Sequence, residues 1–225
     1  MLLQPNIKIS AYRRTLLCVR DTVRWICVML FASLLFNPEK IAAQSNPHFN
    51  YLTVNNGLSQ NSITSIIQDS KGLIWIASYD GLNRFDGFST IVKRHESKNE
   101  NSLTENRILC MTENKNGNIW IGTDGGGINV YDPGSDNFSH YTVQNGAIPN
   151  NTIFSIISDT SETLWVGTGK GLLRANQNNG NTITFDCFDD WGIISKLLCD
   201  KAGNIWVASE KGLHVIPSHE FRIHI

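Results

Sequence analysis

Four short stretches of the chain carry residue types that ligate metals or bind phosphate in other settings. His219-Glu220 with His224 has the ingredients of a zinc-protease helix, in which two imidazoles hold the metal and a glutamate takes a proton. Here the histidines are five apart rather than four, so they would not share one helical face. Gly167-Thr168-Gly169-Lys170-Gly171 imitates a phosphate cradle, but lacks the longer glycine spacing, a Ser or Thr after the lysine, and a following helix. Asp69-Ser70-Lys71-Gly72 and Asp132-Pro133-Gly134-Ser135-Asp136 offer carboxylates to calcium without the Asp-x-Asn-x-Asp-Gly spacing and distal Glu that enclose the ion. Such Asx residues ordinarily cap their own turns. No Ser-His-Asp set or pair of catalytic acids emerges, and neither cofactor nor metal is expected.

The elements that position these stretches are set by a repeat. Trp75, Trp120, Trp165 and Trp206 sit in GLIWIAS, GNIWIGT, ETLWVGT and GNIWVAS, spaced by 45, 45 and 41 residues. Twelve residues before each lies Ile63, Ile108, Ile153 or Ile194, and six before lies Asp69, Asn114, Asp159 or Asp200. Six after lies Gly81, Gly126, Gly171 or Gly212. Three before lies Gly72, Gly117 or Gly203, with Glu162 the exception. Each unit reads as four short strands joined by Gly/Asn/Asp turns, in the first unit Ile63 to Gln68, Leu73 to Ser78, Leu82 to Phe85 and Ser89 to Lys93. Helical periodicity is absent. A unit of about 40–45 residues with four antiparallel strands is a β-propeller blade. The fold class is therefore all-β, with four four-stranded blades over about 58–100, 101–145, 146–189 and 190–225. Apolar neighbours on both sides place the tryptophans in the core rather than on a sugar. FNYLTV at Phe49 to Val54 matches FSHYTV at Phe138 to Val143, and is expected to be an outer strand preceding the first blade. The fourth repeat carries its own outer strand at Phe221 to Ile225. An incomplete arc of a larger ring is the expectation.

Composition agrees. Of 225 residues 41% are apolar and 17% charged, enough for a packed core. Lys8, Arg13, Arg14, Arg20 and Arg24 precede an uncharged apolar run of 12 residues, Trp25 to Phe36, and Ile41-Ala42-Ala43-Gln44 offers a peptidase small residues. Residues 1–43 are expected to be a secretory signal peptide, since a spanning helix needs about 20 apolar residues. Residues 44–225 carry 13 basic and 18 acidic side chains, a net charge of −5 that supplies no field for nucleic acid. Cys110, Cys187 and Cys199, an odd and widely spaced trio, make no disulfide framework.

GLSQNSITSIIQDSKGLIWIASYDGLNRFDG, at Gly57 to Gly87, resembles the two-component regulator-propeller repeat of the sensor region of Bacteroidetes-type hybrid histidine kinases. The resemblance covers about residues 49–225. It implies a periplasmic sensor of glycans whose full-length members add an immunoglobulin-like module, a membrane helix and a cytoplasmic, possibly dimeric kinase. Ser218-His219-Glu220-Phe221-Arg222 imitates that kinase's phospho-acceptor box, but continues with Ile223-His224-Ile225 instead of Thr-Pro, so no kinase activity is expected of this chain. The reading is a periplasmic ligand-sensing segment truncated before its kinase, with a small oligosaccharide as partner. A free secreted scaffold and a propeller-type lyase are the alternatives.

Strand direction places the ligand. First-to-second and third-to-fourth turns share one face of the arc and are repetitive; second-to-third turns share the other with the segments linking blades, and vary. Loops of changing chemistry on a fixed scaffold are where recognition lies. Asn61, Tyr79, Asp80, Arg107, Asp124, Asn151, Lys170 and Trp191 are the candidate ligand-binding residues, and ring faces with hydrogen-bonding groups suit a sugar.

Overall fold

The computed structural model describes residues 23–28, 31, 50–177, 183–189 and 191–218. The chain divides into Met1–Asn50 and Tyr51–Ile225. In the first unit residues 23–28 and 31 are helical, with Trp25 and Phe31 exposed. Among the described residues no helix is long and apolar enough to cross a membrane. The signal-peptide expectation falls mostly outside the described residues.

The second unit is a row of antiparallel sheets. Sheet one is β1 (Ile63–Gln68), β2 (Ile74–Ser78), β3 (Gly81–Phe85) and β4 (Thr90–Lys93). Sheet two is β5 (Ile108–Glu113), β6 (Ile119–Thr123), β7 (Ile128–Asp132) and β8 (Asn137–Tyr141). Sheet three is β9 (Ile153–Ser158), β10 (Leu164–Thr168), β11 (Gly171–Gln177) and β12 (Ile183–Asp189). Sheet four is β13 (Ile194–Cys199), β14 (Ile205–Ser209) and β15 (Gly212–Ile216). The expected outer strand Phe221 to Ile225 lies outside the described residues. Each sheet is a meander, and first strands of successive sheets touch in order along the arc. The second unit is all-β, in four sheets that resemble propeller blades.

The repeat columns are the joints between these sheets. Trp75, Trp120 and Trp165 have no exposed surface, and each packs with apolar residues of the following sheet: Ile108 and Ile119, Ile153 and Leu164, Ile194 and Ile205. Burying an indole removes about 150–250 Å² from water, roughly 4–6 kcal/mol of transfer free energy before entropic costs. Trp206, which has no sheet beyond it among the described residues, is 36% exposed; Leu198 and Val215, its partners across the sheet, are exposed too. The isoleucine column fits the small residue two after each tryptophan. A Cβ on Gly122 would lie 2.6 Å from Ile153 Cγ2, and one on Gly167 2.7 Å from Ile194 Cγ2.

The aspartate column does more than cap turns. Asp69 Oδ1 accepts from the Lys71 and Leu73 amides, while Oδ2 accepts from Trp75 Nε1 at 2.8 Å. Asp159 and Asp200 repeat the arrangement with Trp165 and Trp206, both at 2.9 Å. The two hydrogen bonds to Oδ2 from Trp206 and Asn204, with backbone donors on Oδ1, hold the Asp200 carboxyl down at about 2.

Besides Trp206, expected in the core with the other tryptophans yet 36% exposed, two expectations need correction. Residues 50–53 are not strand, and Val54–Asn56 form a 3-10 turn capped by Thr53. A strand exists only by pairing, and no third strand lies beside this segment among the described residues. Its match to the end of β8 holds for the turn alone, where Gly57 and Gly146 both donate to the carbonyl three residues back, Val54 and Val143. Second, Gly126 does not occupy the glycine column. The turn after β6 has one extra residue, so Gly127 takes the place of Gly81, Gly171 and Gly212, all at positive φ. A Cβ there would meet the Tyr141 carbonyl at 2.4 Å, as one on Gly81 would meet that of Lys93 at 2.6 Å.

Candidate functional site

The second-to-third turns and the linking segments share one face, tied together by a repeated bond. Gly81, Gly127 and Gly171 donate their amides to the carbonyls of Asn106, Asn151 and Gly192 in the next linking segment, at 2.8–2.9 Å. Ser78, Thr123, Thr168 and Ser209, three residues after each tryptophan, close the turn by donating to the carbonyl of Gly81, Gly127, Gly171 or Gly212. This hydroxyl column closes each of the motifs GLIWIAS, GNIWIGT, ETLWVGT and GNIWVAS.

Between sheets one and two this frame carries a charged and aromatic cluster. The Arg107 guanidinium stands 4.5 Å from the centre of the Tyr79 ring, and its Nη1 lies 3.1 Å from Asp124 Oδ2. Asp80 pairs with Arg94 at 3.1 Å. All five side chains are between a third and a half exposed or more, so the face of Tyr79 and the outer edges of both guanidiniums meet solvent. A planar guanidinium held over a ring and anchored by a carboxylate keeps donors in fixed directions, which is what recognition of hydroxyl or carboxylate oxygens requires.

The other expected residues are distributed along the same face. Asn61 and Asn151 hold the chain: their Oδ1 atoms accept from the Val54 and Val143 amides, as Asn106 does from His95. Their side chains position the linking segments rather than project from them. Lys170 is exposed in the β10–β11 turn, one sheet removed from Arg107. Trp191 lies flat on His214, with ring centres 4.1 Å apart. The eight residues therefore do not form one constellation: Tyr79, Arg107 and Asp124 meet, and Asp80, beside Tyr79 in the β2–β3 turn, pairs separately with Arg94.

A concave surface that sequence reasoning missed lies beside this cluster in the chain. The segment from His95 to Thr104 folds over a pocket of about 670 Å³ lined by His95, Lys98, Ser102, His140 and Asn145. His95 Nδ1 and His140 Nε2 each approach a carbonyl, those of Leu103 and Ser102, at 2.6 and 2.8 Å, so both nitrogens carry protons. The one signal was length: the link between the first two blades is the longest. Among the described residues no group of three His, Cys, Asp or Glu is placed to hold a metal.

Comparisons agree with this architecture. Residues 57–80 and 102–125 match the family described as two component regulator propeller. The chain is 38% identical over 72 residues to Histidine kinase P4 of Formosa agariphila, a match spanning 32% of this chain and 5% of that protein. It superposes on the extracellular domain of the hybrid two component system BT4673 from B. thetaiotaomicron with a TM-score of 0.59 and 22% identity, covering 77% of this chain and 24% of that one. The gluconolactonase XC5397 of Xanthomonas campestris shares the fold at 13% identity and a TM-score of 0.53, with 69% and 59% covered. Two stretches of the chain thus match two-component regulator propeller repeats, and the chain folds as four antiparallel blade-like sheets.

Proposed function

We propose that this chain is a ligand-sensing propeller segment of a two-component signalling protein, exported to the periplasm by removal of residues 1–43. The ligand is a small oligosaccharide, and the output is a kinase region belonging to a longer protein or a separate chain. The observation that carries this reading is the Tyr79–Arg107–Asp124 cluster with Asp80–Arg94. It is a non-repeating group of aromatic and charged side chains on a face whose backbone repeats from sheet to sheet. Repetition is what stability needs; departure from it on exposed turns is what recognition needs. The regulator-propeller match and the likeness in fold to an extracellular sensor domain support the signalling role. The exposed apolar row Leu198, Trp206 and Val215 supports seating this arc in a larger ring, since a fifth blade would bury it as the others bury Trp75, Trp120 and Trp165.

Titration calorimetry with a panel of neutral and acidic glycan fragments tests the reading. Tyr79→Ala, Asp80→Ala and Arg107→Ala should each weaken binding at least tenfold and leave the melting temperature nearly unchanged, since exposed ion pairs contribute about 0–1 kcal/mol. Substitutions at Lys71 or Asp86, on the opposite face, should bind as wild type does. The reverse pattern would place recognition on the other face.

A further inference from the structure

Sheet two breaks the aspartate–tryptophan rule, and the break leaves a specific chemical gap. In sheets one, three and four the carboxylate at the first-to-second turn uses one oxygen to cap the turn and the other to accept the indole N–H. Sheet two has Asn114 at this position. Its Oδ1 caps the turn as usual, accepting from the Asn116 and Asn118 amides at 3.1 and 3.0 Å. The amide nitrogen, a donor, therefore stands where its counterparts present an oxygen. Rotating the amide would only turn the NH₂ onto those two backbone donors. Trp120 Nε1 is fully buried and has no hydrogen-bond partner. Asn118 also occupies the position from which Asn204 donates to Asp200 Oδ2. The buried Trp120 N–H is left without an acceptor from the chain, and an orphaned buried N–H is costly enough to call for a partner.

A pocket of about 170 Å³ opens at this point, between the turns that precede β6 and β10. Asn114 and Trp120 are among its lining residues, and Leu164, Ala175 and Ile183 supply apolar wall. Lys115 and Glu162 meet at 3.1 Å and are each half-exposed. Glu162 takes φ of +63° where the neighbouring sheets have Gly72, Gly117 and Gly203, and it also lines the pocket.

We propose that this pocket binds a small carboxylate. One carboxylate oxygen takes the role that Asp69, Asp159 and Asp200 oxygens play in their sheets, accepting from Trp120 Nε1 and the Asn114 amide, and the carbon skeleton lies against Leu164, Ala175 and Ile183. The match to a carboxylate rather than a cation follows from the donors; Lys115 and Glu162, paired with each other, leave the rim without net charge. The site lies on the face opposite Tyr79 and Arg107, and stands whether or not that face binds glycans.

The test follows the Trp120 indole N–H in ¹H–¹⁵N correlation spectra of the full chain, assigned with Trp120→Phe, during titration with acetate, glucuronate and, as a neutral control, glucose. Acetate should move that resonance saturably while the other indole signals stay, and glucose should not. A response to glucuronate as well would extend the site to uronic-acid sugars; a response to acetate alone would confine it to small monocarboxylates. Asn114→Asp should place the resonance at its hydrogen-bonded position without ligand, raise the melting temperature, and weaken acetate binding at least tenfold. No saturable shift with either carboxylate, or an Asn114→Asp chain that titrates as wild type does, would overturn the proposal in favour of a buried water.

Discussion

Replacing Asp69 by Asn tests whether the aspartate–tryptophan bond holds the blades together. The substitution is nearly isosteric and leaves Oδ1 to accept from the Lys71 and Leu73 amides, so the turn persists. It presents NH₂ to Trp75 Nε1, which now lies 2.8 Å from a carboxylate oxygen in a buried setting. Hydrogen bonds to charged groups contribute about 1.5–3 kcal/mol, and losing this one strands a buried donor besides. A cost of about 2–3 kcal/mol corresponds to a melting-temperature drop of roughly 5–10 °C for a domain of this size. Trp75→Phe removes the N–H, so Asn at 69 should then cost under about 1 kcal/mol, and the double-mutant cycle should return a coupling of about 1.5–2.5 kcal/mol. Denaturant unfolding followed by circular dichroism measures all four corners. Equal costs of Asp69→Asn with Trp75 and with Phe at position 75 would mean that the bond adds nothing net, and that the column exists only to cap turns.

Other outcomes follow from the same joints. Trp120→Ala should cost about 3–5 kcal/mol, as large-to-small core changes do, and Trp206→Ala distinctly less because one face of its indole is already open; thermal unfolding separates them. Gly122→Ala drives a Cβ to 2.5 Å from Cys110 Sγ and 2.6 Å from Ile153 Cγ2, so a loss of about 1–3 kcal/mol is expected despite the gain in strand propensity. Asp200 titrates near 2 when folded, below its ordinary carboxyl range, so its contribution is present above pH 4 and disappears as pH falls toward 2; Trp206 fluorescence should change only in that acid window. Burial pushes the Cys110 thiol up to about 12, so it should resist iodoacetamide at pH 8.5 in the folded chain and react after unfolding.

What the sequence disclosed, and what it withheld, divides along the line between local and non-local physics. Strand β1 was bounded to the residue, because a β-branched run ending in Asp-Ser-Lys-Gly is a local signal. The burial of Trp75, Trp120 and Trp165 followed from apolar neighbours on both sides. The segment at 50–54 failed because its resemblance to β8 reported side chains, while its state depends on a partner strand far away in the chain. Gly126 was misplaced because a fixed offset from tryptophan cannot see the one-residue insertion that Gly125, Gly126 and Gly127 absorb. The bonds that Asn61 and Asn151 Oδ1 accept from the Val54 and Val143 amides were hidden, because these residues become neighbours only when the link folds back. The placing of Arg107 over Tyr79 was likewise hidden, since the two residues sit on different blades.

The central claim, that recognition lies where Arg107 bridges Tyr79 and Asp124, is tested most directly by calorimetric titration of one glycan fragment into wild type, Arg107→Ala and Asp86→Ala. The account predicts that Asp86→Ala retains the wild-type affinity, while Arg107→Ala loses at least tenfold with its melting temperature within about 2 °C of wild type, as the modest energy of exposed pairs requires. Undiminished binding by Arg107→Ala, with loss in Asp86→Ala, would contradict it.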